Sequence, residues 1–170
     1  MGRRLAKHNS KILKEEVNPA PKPKPTCNCQ KSRKGECPIP GACNQDGAIY
    51  QTVVATDDGR KECYVGLAKN FKKRFYKHRT TLNDKYAEGQ TTMSRYVWKC
   101  REEGKNPKIT WKILEKNIRD FNPVTEICTL CTREKFNIVL NPELATLNFR
   151  NEIFSSCRHR PEYIIGDPPD

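Results

Sequence analysis

The sequence has no apolar run near the ~18–20 residues that a membrane-spanning helix needs, which excludes a helical transmembrane protein and any membrane partner of that kind. Its opening stretch, MGRRLAKHNSKILKEE, lacks the apolar core of a secretory signal, so the expectation is an intracellular, non-secreted chain. It also lacks the hydroxyl residue that N-myristoylation requires at position six, where Ala6 stands. Internal repeats are absent. Hydrophobic residues are scarce, at 35 % of 170, which leaves room for one domain of ordinary size plus a tail. Acidic residues are few as well: 20 Asp+Glu stand against 32 Lys+Arg, a formal net charge of +12.

That surplus favours a polyanionic partner, and nucleic acid is the largest class. A soluble basic protein or a chromatin-binding module would carry the same charge. The positive residues are spread over Arg3–Arg4, Lys22–Lys24, Lys31–Lys34, Lys72–Arg74 and Lys77–Arg79, so a basic tail alone does not account for them. Nine cysteines are abundant for a chain expected in a reducing compartment, where clustered thiols bind metal more often than they form disulfides. Cys27, Cys29, Cys37 and Cys43 form one group, which would make a Cys₄ zinc knuckle with Lys31, Arg33 and Lys34 as DNA-contacting residues. Cys128 and Cys131 share a helix face, and Cys157 with His159 would complete a structural Cys₃His zinc site. The expectation is therefore one or two zinc ions, with reduced, packed cysteines as the alternative. Cys63 and Cys100 read as small packed residues.

Along the chain, residues 1–26 read as a basic, proline-rich arm, in which Ser10–Val17 can form a short helix and PKPKP an extended linker. Residues 27–46 are the Cys-rich segment, 47–160 the main domain and 161–170 a flexible tail. Ala48–Ala55 and Glu62–Gly66 read as a hairpin around the turn Thr56–Arg60. Asn70 caps a helix from Phe71 to about Leu82. Thr92–Glu103 is a second helix stopped by Gly104, Ile109–Leu114 a strand with Ile109, Trp111 and Ile113 inward, and Thr125–Leu140 a third helix stopped by Asn141-Pro142. Asn151–Ser156 can form a short helix. The expected fold is α/β: a small mixed three-stranded sheet flanked by helices.

Tyr50 and Tyr64 fall on opposite arms of the hairpin and can approach one another. Each alone reads as a core aromatic. Arg74 and His78 lie four apart on one helix face, which alone reads as a solvated basic surface. Facing two Tyr hydroxyls, they instead make a phosphate site with groups able to transfer protons.

These residues together resemble the GIY-YIG endonuclease family. GAIY (47–50) stands for the first signature and YVG (64–66) for the second. FKKRFYKH (71–78) fits the family's Arg helix, Glu134 in LCTREKFNIVLNP its metal-binding acid, and Asn148 in ATLN its late Asn. Ala48 departs from the usual Gly and keeps the small size. CNCQKSRKGECPIPGAC, SRYVWK, WKILEK, CTLCTREK and SSCRHR resemble more narrowly the C-terminal endonuclease module of Penelope-like retroelements, in which a reverse transcriptase domain precedes the nuclease.

The resemblance implies a GIY-YIG-like fold and a metal-dependent endonuclease acting on double-stranded DNA, a nickase when monomeric. Tyr50 would be the general base on water, which requires nearby positive charge to lower the ordinary phenol pKa of ~10. Arg74 would bind the phosphate, Tyr64 orient water or a phosphate oxygen, and His78 assist by hydrogen bonding or proton transfer. Glu134 would hold Mg²⁺ or Mn²⁺, and Asn148 tie the site together. The products would carry 3′-hydroxyl and 5′-phosphate ends, the 3′-hydroxyl serving as a primer for a reverse transcriptase in cis or in trans. A DNA substrate and a basic arm imply a nuclear location. The rival expectation is a catalytically inactive, zinc-containing nucleic-acid-binding protein.

Overall fold

A computed structural model describes residues 27, 29, 37–119, 128–149 and 157. The element order is β1 (Asp46–Ala55), β2 (Lys61–Asn70), α1 (Phe71–Asn83), α2 (Thr92–Glu102), β3 (Lys108–Glu115) and α3 (Thr129–Leu140). Short 3₁₀ turns at Lys85–Gln90 and Pro142–Leu144 join them. The expected helices at Ser10–Val17 and Asn151–Ser156, the arm 1–26 and the tail 161–170 lie outside the described residues. No described helix is long and apolar enough to cross a membrane.

The three strands pair in the order β2-β1-β3. Both pairings are antiparallel, which corrects the expected mixed sheet. The reason is topological. The hairpin reverses β2 against β1, and α1 and α2 carry the chain back so that β3 enters beside β1. β2 and β3 then run the same way but never touch, so no parallel pair forms. The Thr56 N–H donates to the Arg60 carbonyl at 3.0 Å, closing the hairpin turn.

The central strand is buried on both faces, and its near-continuous apolar run AIYQTVVA reflects that. Its even positions Ala48, Tyr50 and Val54 pack with Tyr64, Ala68, Phe71, Leu82, Met93 and Val97 under α1 and α2. Ile49, with Val65 from β2, packs instead with Cys128, Leu130 and Ile138 of the α3 segment. Thr52 sits in the first layer, fully buried, with no hydrogen-bond partner for Oγ1 among the described residues. An unmatched buried hydroxyl costs about 1–3 kcal/mol. Thr52→Val is accordingly expected to raise stability by about 1 kcal/mol, seen as a higher urea midpoint at unchanged slope.

Two local devices fix α1. Asn70 ends β2 and caps the helix directly, its side chain accepting from the Lys73 N–H at 3.0 Å. At the other end, Trp98 Nε1 donates to the Thr81 carbonyl at 2.9 Å, and Arg101 donates to the Leu82 carbonyl. Arg101 also stacks over Trp98, 4.6 Å from the ring centroid. The capping box of Thr91 with Ser94 starts α2 at the correct angle.

Candidate active site

Tyr50 points from the middle of the sheet toward α1, and the register sets Gly66 directly across from it. The phenol lies over that glycine. A Cβ on residue 66 would sit inside the Tyr50 hydroxyl's van der Waals envelope, 2.6 Å from Tyr50 Cζ and 2.9 Å from Tyr64 Cε1. Gly47, at the start of the same strand, has φ +52° and its Cβ position is filled by the Ile118 backbone. The Ile118 N–H donates to the Gly47 carbonyl at 2.8 Å, so the chain after β3 seals the base of β1.

The Tyr50 hydroxyl is 2.6 Å from His78 Nε2 and accepts from Arg74 Nε at 3.3 Å. The Tyr50 and Tyr64 ring centroids are 6.5 Å apart, and the Tyr64 and His78 centroids 6.1 Å. Arg74 also hydrogen-bonds Tyr64. The four residues expected to converge from the hairpin and the Arg helix therefore do so on one face of the sheet. Tyr50 and His78 are 0 % and 1 % exposed and Tyr64 6 %, while Arg74 is half-buried. The surface-face alternative for Arg74 and His78 fails because α1 lies flat on the sheet and turns both side chains inward.

Trp111 was anticipated only as an inward strand residue. It lies 5.8 Å from the Tyr50 ring, 5.4 Å from Phe75 and 5.5 Å from His78, centroid to centroid. It walls the cluster from the β3 side. Burial, and then the Arg74 charge, hold the His78 imidazole down at about 3, so it is neutral at any physiological pH. Burial opposes the charge of Arg74, but the Tyr50 and Tyr64 oxygens outweigh it and hold the guanidinium firmly protonated. The arrangement pairs a permanent cation with two phenols and a neutral imidazole. That chemistry can hold an anionic oxygen and position a proton.

Asn148 braces the edge of the site. Its side chain accepts from the Val65 N–H at 2.8 Å and donates to the Val65 carbonyl at 2.9 Å. The Leu147 N–H donates to the Cys63 carbonyl at 2.8 Å, and Thr146 Oγ1 accepts from the Cys63 N–H at 2.8 Å. Together they cover the free edge of β2 next to Tyr64. Thr146 and Leu147 carry no chemical signature in sequence and were not anticipated. Glu134 is half-buried on α3 and shares a helical stripe with Leu130 and Ile138. Those two neighbours pack with Ile49 and Val65 on the sheet face opposite the tyrosines.

Both cysteine groups assemble. The ligand sulfurs of Cys27, Cys29, Cys37 and Cys43 all lie within 4.8 Å of one another, as do those of Cys128, Cys131 and Cys157. Sγ separations are 3.3 Å for Cys29–Cys43, 3.6 Å for Cys27–Cys37 and for Cys27–Cys43, and 3.4 Å for Cys131–Cys157. A disulfide would need about 2.05 Å. The sulfur–sulfur edge of a zinc–thiolate tetrahedron with ~2.3 Å bonds is about 3.8 Å, so both clusters could hold a metal ion such as zinc. The Cys29 N–H donates to Cys27 Sγ at 3.5 Å and holds that thiol at about 6, while burial pushes Cys43 up. Burial likewise raises Cys128, opposed by the Cys131 N–H. His159, the expected fourth ligand of the second cluster, lies outside the described residues.

No protein-family model, curated protein or solved structure matches the chain.

Proposed function

We propose that this protein is a metal-dependent DNA endonuclease of the GIY-YIG type that nicks duplex DNA and leaves 3′-hydroxyl and 5′-phosphate ends. The observation that carries this reading is the Tyr50 hydroxyl, held between His78 Nε2 at 2.6 Å and Arg74 Nε at 3.3 Å with Tyr64 alongside. Arg74, the outermost member, meets the scissile phosphate and neutralises charge that grows in the transition state. Tyr50, beside the same guanidinium, takes a proton from the attacking water. His78, held neutral by burial and by the Arg74 charge, orients Tyr50 through its hydrogen bond. Tyr64 positions the water or a phosphate oxygen.

Glu134 fits a hydrated divalent cation, because Mg²⁺ typically takes one or two carboxylates and completes its shell with water and phosphate. Because the Leu130–Ile138 stripe of α3 packs on the sheet face opposite the tyrosines, a role for Mg²⁺ or Mn²⁺ at the leaving 3′ oxygen rests on the family resemblance and requires the phosphate to bridge the two faces. Duplex DNA is the proposed partner, the nucleus the proposed location, and a Penelope-like retroelement the proposed origin. A reverse transcriptase in cis or in trans would use the 3′-hydroxyl.

One observation favours a second reading. The Tyr50 hydroxyl is sealed from solvent, as in an inactive zinc-containing protein that only binds nucleic acid. Nicking of supercoiled plasmid with Mg²⁺ or Mn²⁺ separates the two. Under the first reading Arg74→Ala and Glu134→Ala each lower the nicking rate by about 10²-fold or more, and Glu134→Ala leaves duplex affinity nearly intact. Tight, salt-sensitive binding with no cutting by the unaltered protein would establish the second.

A further inference from the structure

We infer that the cluster of Cys27, Cys29, Cys37 and Cys43 is a metal-dependent brace for the helix that carries Arg74 and His78, and that its occupancy sets the order of the Tyr50 pocket. This goes beyond the nuclease reading, on which only its activity arm rests.

The cluster is joined to the domain at several points. Cys43 is fully buried and stands three residues before β1. Ile39, between two of the ligands in sequence, packs against the core layer that contains Tyr50, Phe71 and Leu82. The Lys72 side chain, in the first turn of α1, hydrogen-bonds Cys29. The Phe71 N–H, the first of the helix, donates to the Gln45 carbonyl at 2.8 Å. Asn70, the helix cap, donates through Nδ2 to Asn44 Oδ1 at 3.3 Å and to Asp46 Oδ1 at 2.8 Å. Every one of these bonds ends within three residues of a cysteine ligand on one side and within the cap or first turn of α1 on the other.

A divalent ion held by four thiolates carries two net negative charges. Lys72 neutralises part of that charge, and four cysteines this close can all ionise only around a cation. With the ion gone, four thiols repack, Ile39 loses its tether, and the first turn of α1 loses its support. Arg74 sits two residues beyond Lys72, so the disturbance reaches the pocket directly. An autonomous knuckle that touches DNA through Lys31, Arg33 and Lys34 would need none of these contacts.

The test compares each variant with a full-chain Trp98→Phe parent, which leaves Trp111 as the single tryptophan reporter beside Tyr50, Phe71, Phe75 and His78 and makes the loss of the Trp98–Thr81 bond common to every protein compared. Cys29→Ser is expected to lower bound zinc by one ion per chain, shift Trp111 emission to the red and reduce nicking at least tenfold. Lys72→Gln, which alters no ligand and no core residue, is expected to keep the zinc content, release one zinc to a chelator at least threefold faster and shift Trp111 in the same direction. A Cys29→Ser protein that loses one zinc with unchanged Trp111 emission overturns the brace, and so does one that loses duplex affinity alone. Should Cys29→Ser not fold, unaltered zinc release and emission in Lys72→Gln overturn it. If the unaltered protein fails to nick, the nuclease reading falls while the zinc and fluorescence measurements still decide this inference.

Discussion

Gly66→Ala is expected to destabilise the protein by about 3 kcal/mol and to abolish nicking, although alanine adds a single methyl group. Overpacking ordinarily costs about 1–3 kcal/mol because a neighbour moves aside. Here the neighbour is the Tyr50 phenol, and it has nowhere to go. Phe71 lies 5.4 Å from its ring, Trp111 5.8 Å and His78 5.8 Å, centroid to centroid. The new methyl would meet the phenol at Cζ, 2.6 Å away, and Tyr64 at Cε1, 2.9 Å away. Relief requires Tyr50 to lift off β2, and that breaks its bonds to His78 and Arg74. For a domain of this size the stability loss lowers the thermal midpoint by roughly 8–13 °C. A double-mutant cycle isolates the cause: Tyr50→Leu removes the hydroxyl and Cζ, so adding Gly66→Ala to it is expected to cost under about 1 kcal/mol. Equal costs in the two backgrounds would show that the glycine serves the strand and not the phenol.

Gly66 also shows where the sequence is legible and where it is not. The hairpin, the Asn70 cap and the i,i+4 pairing of Arg74 with His78 depend on neighbours in the chain, so spacing and residue type reveal them. The strand limits extend beyond the expected ones, to Asp46 and Asn70, because pairing continues past the apolar core of each run. Strand direction is not legible in the sequence, because it depends on where β3 docks after two helices, a long-range event with no local signature. The depth of His78 was also hidden, since a basic amphipathic helix looks alike whether its Arg faces water or a phenol. Cys27 to Cys43 read as a separate knuckle because its apolar content is slight. The packing of Ile39, the burial of Cys43 and the bonds from Asn70 and Phe71 to residues 44–46 join it to the domain, and none of these is visible in sequence spacing. Asn148 is identified by resemblance, but its pair of hydrogen bonds to the Val65 backbone requires knowing that β2 is an edge.

The second large effect is acid sensitivity carried by one imidazole. His78 is almost wholly buried, and burial, reinforced by the Arg74 charge, keeps its pKa at about 3 in the folded protein. In the unfolded chain the value is the ordinary ~6.5. As pH falls the unfolded state therefore takes up the proton first. The contribution of His78 to stability is complete above pH ~6.5 and drains away toward pH ~3, at about 1.4 kcal/mol per pH unit and about 4–5 kcal/mol in all. Between pH ~6.5 and ~5, above the ordinary carboxylate range, the loss should be about 2 kcal/mol. His78→Gln keeps a polar group near Nε2 but cannot titrate. It is expected to be less stable than the unaltered protein at pH 7 and to lose about 2 kcal/mol less across that window in urea unfolding. Parallel slopes for the two proteins would mean that the imidazole titrates normally in the fold. The kinetic counterpart follows from the same neutrality: the nicking rate should show no inflection near pH 6.5. An inflection there that vanishes in His78→Gln would show that His78 titrates in the active protein and takes part in proton transfer.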